Sequence, residues 1–124
     1  MNVILKRMMS ALILIFLLAL SSIALASDTP RYVTYPTENM YTVLKLNSSN
    51  GILSQVHIAI ERNQARAEYY INLEPLTYSG ENGRFILQKT GNMYNFVLLD
   101  TVDGRVWQIQ WSYEKANRGI IQIN

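Results

Sequence analysis

From Arg31 onward, apolar and polar residues alternate with period two in short runs dominated by the strand-favouring residues Val, Ile, Tyr, Phe and Trp. The runs predict eight strands, over 31–35, 40–47, 53–61, 67–72, 84–88, 93–100, 105–113 and 119–124, separated by turns rich in Gly, Asn and Asp. The stretch ERNQARAE, 61–68, has the composition of a helical turn, but it is short and its later counterpart EKANRG contains glycine. The first residues follow another pattern. MNVILKRMMS supplies Lys6 and Arg7, ALILIFLLAL an unbroken apolar run, and Ala24 and Ala26 a small-x-small cleavage site. Residues 1–26 therefore read as a secretory signal-peptide helix cut after Ala26. The competing reading is an uncleaved anchor, in which case this segment alone would meet a membrane; Ser21 and Ser22 interrupt the apolar run and count against it.

The strand pattern repeats. RYVTYPTENMYTVLKLNSSNGILSQVHIAIE, 31–61, superposes without gaps on RFILQKTGNMYNFVLLDTVDGRVWQIQWSYE, 84–114, with identities that include Asn39/Asn92, Met40/Met93, Tyr41/Tyr94, Leu46/Leu99, Gly51/Gly104 and Gln55/Gln108. Residues 27–124 thus form one all-β domain of two tandem four-stranded antiparallel units, 31–72 and 84–124. LEPLTYSGENG, 73–83, connects them. Two units are too few for an open solenoid, so the expected architecture is a small sandwich or an eight-stranded barrel with a pseudo-two-fold between units.

Within TVDGR, a type I turn over Val102 and Asp103 needs a positive-φ residue next, which Gly104 supplies; SSNGI repeats the device. A three-residue loop, Val102 to Gly104, pairs Leu99 with Trp107 and Val97 with Ile109, and so predicts a core face of Leu99, Trp107, Ile109 and Trp111. The same register in unit one collects Met40, Leu44, Leu46, Val56, Ile58 and Ile60, and leaves Lys45, Gln55 and His57 opposite. The other face of unit two, Tyr94, Phe96, Leu98, Gln108 and Gln110, is then the candidate binding face: either a second buried layer, or aromatics flanked by amides that meet a protein or a sugar.

Composition narrows the chemistry. The chain holds 11 Lys and Arg against 9 Asp and Glu, and loss of Lys6 and Arg7 with the leader brings the signs level. No basic stripe remains for nucleic acid. There are no cysteines, so the domain folds without disulfides, in a periplasmic or secreted setting, and no lipoprotein anchor is possible. A single histidine, His57, makes a poor start for a metal site, and no cofactor motif is present. Asp100 and Asp103 suggest a Ca²⁺ loop, but their counterparts Asn47 and Asn50 lack the charge, so turn chemistry explains them better. Glu61 and Glu114 match across the units as a glycosidase-like pair or, more simply, as polar strand ends that Arg31 and Arg84 neutralise.

LLDTVDGRVWQ, Leu98 to Gln108, resembles the Leu-Asp-turn-Gly-x-x-Trp hairpin of bacterial β-propeller blades. NMY followed by LLDT, GR, WQ and QW is also similar to a group of short exported bacterial β-repeat proteins with one or two copies of this motif. That resemblance covers most of the exported chain and implies an all-β repeat fold, but no activity. Unit one departs from it at Lys45, Ser54 and Ile58, where unit two has Leu98, Trp107 and Trp111. The expected function is a non-catalytic exported interaction module that binds a protein or self-associates. The alternatives are a carbohydrate-binding module, using an exposed Trp107 or Trp111 with Tyr94, Gln108 and Gln110, and a small periplasmic hydrolase or hydrolase inhibitor acting through Glu114 or His57.

Overall fold

A computed structural model describes residues 2–23 and 28–124 of the chain. Helix α1, Val3–Ile23, comes first; the cleavage point expected after Ala26 lies outside the described residues. No helix among the described residues is long and apolar enough to cross a membrane. Eight strands follow: β1 Tyr32–Pro36, β2 Thr42–Asn47, β3 Leu53–His57, β4 Ala67–Tyr70, β5 Phe85–Lys89, β6 Asn95–Asp100, β7 Val106–Gln110 and β8 Gly119–Ile123. A 3-10 turn, Lys115–Asn117, precedes β8. Each unit is an antiparallel meander in chain order, β1-β2-β3-β4 and β5-β6-β7-β8, and the two sheets pack on one another without closing into a barrel.

The central hairpins differ by one residue from the predicted register. Leu98 pairs with Trp107 and Phe96 with Ile109, so the loop holds four residues, 101–104, closed by Asp100 N–H donating to Arg105 O at 2.9 Å. The Asp100 side chain causes the extension. Its Oδ1 accepts from the N–H groups of Val102 (3.0 Å) and Asp103 (3.2 Å), and so brings Thr101 into the turn. Unit one builds the same loop from Asn47, whose Oδ1 accepts from Ser49 N–H at 3.0 Å while Asn47 N–H donates to Ile52 O at 2.9 Å. Gly51 and Gly104 do take positive φ, +80° and +75°. A slip of one residue turns every side chain of a strand to the other side. Leu99 and Val97 accordingly leave the core, Phe96 and Leu98 enter it, and Gln55 and His57 point inward where Val56 and Ile58 were expected. Met40 and Ile60 are exposed.

The two units share their internal register yet bury opposite faces. The face of unit one carrying Leu44, Leu46, Leu53, Gln55 and His57, here its front, is buried. The matching front of unit two carries Val97, Leu99, Val106, Gln108 and Gln110 and points outward. Unit two instead buries its back: Phe85, Leu87, Phe96, Leu98, Trp107 and Ile109. Front therefore packs on back, and the expected pseudo-two-fold is absent, because a two-fold would bury equivalent faces.

Ser48 fastens the units. Its N–H donates to Arg31 O (2.6 Å) and its hydroxyl to Pro30 O (2.7 Å), while its carbonyl accepts from Phe85 N–H (2.9 Å) and its Oγ from Gly83 N–H (2.9 Å). The start of unit two thus hangs from the hairpin loop of unit one. A Cβ on Gly51 would lie 2.8 Å from Leu76 and 3.2 Å from Phe85, so this turn and the connecting segment also pack closely.

Candidate functional site

The five residues expected to form one binding face are divided by the register. Phe96 and Leu98 are in the core, 2% and 0% exposed; Gln108 is exposed and Gln110 half-buried on the front of unit two. Gln108 Nε2 donates to Asn95 Oδ1 at 2.8 Å, across the same face. Tyr94 is exposed at the end of the sandwich, its ring 5.0 Å from that of Trp111. Trp107 and Trp111, 4% and 0% exposed, are both buried, so neither indole is open to stack a sugar.

Sequence reasoning missed a polar network between the sheets. Gln55, fully buried on β3, pairs with the backbone of Ser112 as a strand neighbour would: Oε1 accepts from Ser112 N–H at 3.2 Å, and Nε2 donates to Ser112 O at 2.7 Å. This fixes the amide orientation. The second Nε2 hydrogen therefore points at His57 Nε2, 2.7 Å away, which must accept. His57 is then the neutral Nδ1–H tautomer, donating to Thr42 Oγ1 at 3.0 Å. Its ring lies among those of Tyr113 (4.7 Å), Tyr69 (5.8 Å) and Trp111 (6.5 Å). Burial, and next the positive charge of Arg118, hold its pKa below the ordinary 6.5.

Both ring nitrogens of His57 are engaged by Gln55 and Thr42 of its own sheet, and its ring meets the other unit through Tyr113 and Trp111. Protonation sets two donors against each other at Gln55. The sign follows: the neutral folded form contributes its stability above pH 6.5, and that contribution falls as pH drops below 6.5 toward the depressed folded value. The resistance of the wild type to urea is expected to fall as pH drops from 7.5 to 5, and His57→Gln to flatten that dependence. An imidazole ¹⁵N spectrum showing Nε2–H at neutral pH would contradict the tautomer.

A second polar cluster closes the far end. The buried Asp100 carboxylate accepts a two-pronged pair from Arg84, Nε to Oδ1 and Nη2 to Oδ2, each 3.0 Å, and Arg105 Nη2 adds 2.9 Å to Oδ2. Arg84 also reaches Asp103 at 3.0 Å. The arginine thus pairs with the turn aspartates instead of the expected glutamates. Arg84, then the backbone donors of the turn and Arg105, hold the Asp100 pKa far below the ordinary carboxylate range. No buried side-chain nitrogen or oxygen among the described residues lacks a partner, and no three His, Asp or Glu among them gather as a metal site.

What remains bare is surface. The front of unit two carries an apolar row across all four strands, Ile86, Leu99, Val106 and Ile123, beside a second row of Gln88, Val97, Gln108 and Ile121. Ile121 and Ile123 are 69% and 52% exposed. The edge strand β8 carries neither charge nor proline, unlike β1 with Pro36, β4 with Glu68 and β5 with Lys89. A groove of about 430 Å³ lies over it, lined by Gln108, Gln110, Asn117, Arg118 and Ile121 among others. Fold and surface together define a two-unit all-β sandwich with an open apolar sheet face. Comparison with protein-family models, with curated proteins and with solved structures found no match.

Proposed function

We propose that the protein is an exported, non-catalytic interaction module that self-associates through the front of unit two. One observation carries the reading. That face repeats the residues with which unit one grips unit two: Leu44/Val97, Leu46/Leu99, Leu53/Val106 and Gln55/Gln108 occupy matching positions, and only the first of each pair is covered within the chain. A contiguous apolar sheet face beside an unguarded edge strand supports association, by face packing or by strand addition. The leader pattern of residues 1–26 supports export. The carbohydrate alternative loses its indoles to the core, and the hydrolase alternative loses His57 to the network with Gln55 and Thr42.

Sedimentation of the purified protein across a concentration series tests the proposal. The expected result is association that Ile121→Lys with Ile123→Lys abolishes, while the two buried tryptophans keep their native emission. A wild type that stays monomeric throughout would refute it.

A further inference from the structure

We infer that the association partner is a second copy of this chain docked head to tail, the front of its unit two on the back of its neighbour's unit one. The inference rests on the self-association reading and names the surface that meets the bare front. Its template is inside the molecule, where front already packs on back between the two units. Because that contact joins unlike faces, it uses up one front and one back and leaves one of each free on every copy. An interface of this kind propagates until its rotation closes a ring, whereas a two-fold dimer consumes equal faces and stops.

The free back of unit one is suited to being covered. It presents Tyr32, Val43, Lys45, Val56 and Tyr70 around a buried Ser54, in the places where the buried back of unit two has Phe85, Phe96, Leu98, Ile109, the edge residue Gln122 and, at Ser54, Trp107. Lys45 replaces a core leucine, yet brings its own counter-ion. Its ammonium pairs with Glu68 and lies 5.6 Å from the centre of the Tyr32 ring, and Ser54 donates to the same carboxylate at 2.7 Å. The front of unit two carries no charge among Ile86, Gln88, Val97, Leu99, Val106, Gln108, Ile121 and Ile123, so docking would strand no unpaired ion. Ser54, standing where unit two has Trp107, is among the residues lining a depression of about 220 Å³, with Tyr32, Tyr70, Lys45, Asn47 and Ile52. A branched side chain from the apolar row of the next copy fits such a recess. The mixed character of this back face, aromatic and polar, makes the contact between copies weaker than the one within the chain.

Complementation between two blocked variants decides the arrangement. Ile121→Lys with Ile123→Lys blocks the front, and Tyr70→Lys blocks the back; all three positions are exposed and on edge strands. The expected result is that each variant alone sediments as a monomer, and that an equimolar mixture forms a species of twice the monomer mass, held by the one intact front and one intact back. Should Tyr70→Lys fold poorly by tryptophan emission, Thr34→Lys on the same face replaces it. An oligomer indifferent to the back-face variant, with no mixed species, would overturn head-to-tail docking while leaving self-association standing. A monomeric wild type would overturn both.

Discussion

Asp100→Asn is expected to lower the unfolding free energy by about 3 kcal/mol at neutral pH, because it leaves two guanidinium groups facing a neutral amide in a largely buried cluster. The carboxylate is fully buried and Arg84 only 12% exposed, so solvent can do little to replace the lost charge. Unit one supplies the control for local geometry: Asn47, at the equivalent position, builds the same four-residue loop with an amide oxygen. The substitution therefore keeps the turn and removes the charge. A folded-state pKa depressed below the ordinary 3.8 contributes stability above that pH, and the contribution disappears as pH falls toward the folded value. The gap between wild type and variant, measured by urea unfolding, should accordingly close under acid conditions. A gap that is small at pH 7, or unchanged at pH 2, would mean that the arginines are satisfied by other groups.

Trp111→Ala is expected to cost about 4 kcal/mol, the range for deleting a fully buried indole. Its ring lies within 5.0 to 6.5 Å of the rings of Tyr94, Tyr113 and His57, and its Nε1–H donates to Met93 O at 2.8 Å. Deletion opens a cavity at one end of the sandwich and leaves that carbonyl without its donor. Trp111→Phe should recover more than half of the loss, since it restores ring contacts but not the hydrogen bond. A nearly silent alanine variant would show the indole to be dispensable to the core, as a solvent-facing sugar platform would be.

Strand positions, the duplication and the positive-φ glycines were legible in the sequence because each rests on a local rule: period two, self-similarity, and the steric freedom of Gly51 and Gly104. The identity of the buried face was not. In unit two both faces of β6 are apolar, Phe96 and Leu98 on one and Val97 and Leu99 on the other, so hydropathy does not choose between them. In unit one it chose wrongly. Gln55 and His57 are buried while Ile58 is half exposed, because Ser112 satisfies Gln55 from across the interface and Gln55 and Thr42 satisfy His57 from its own sheet. The signal that sets the register was present in a subtler form: Asp100 and Asn47 each stand four residues before the turn glycine, where a side-chain oxygen can cap the loop and lengthen it by one. Of the proposed binding face, Gln108 and Gln110 remain on a bare surface and Tyr94 at its end, while Phe96 and Leu98 belong to the interior.

The four hydrogen bonds around Ser48 bear on how the chain folds. They fasten the beginnings of both units to one hairpin loop, and the apolar interior exists only where front meets back, so neither unit alone encloses a core. Such a chain is expected to lose its two sheets together, in one cooperative transition whose calorimetric and van't Hoff enthalpies agree. Its duplicated parts would then be a single thermodynamic unit, unlike repeats that melt one after another from an end.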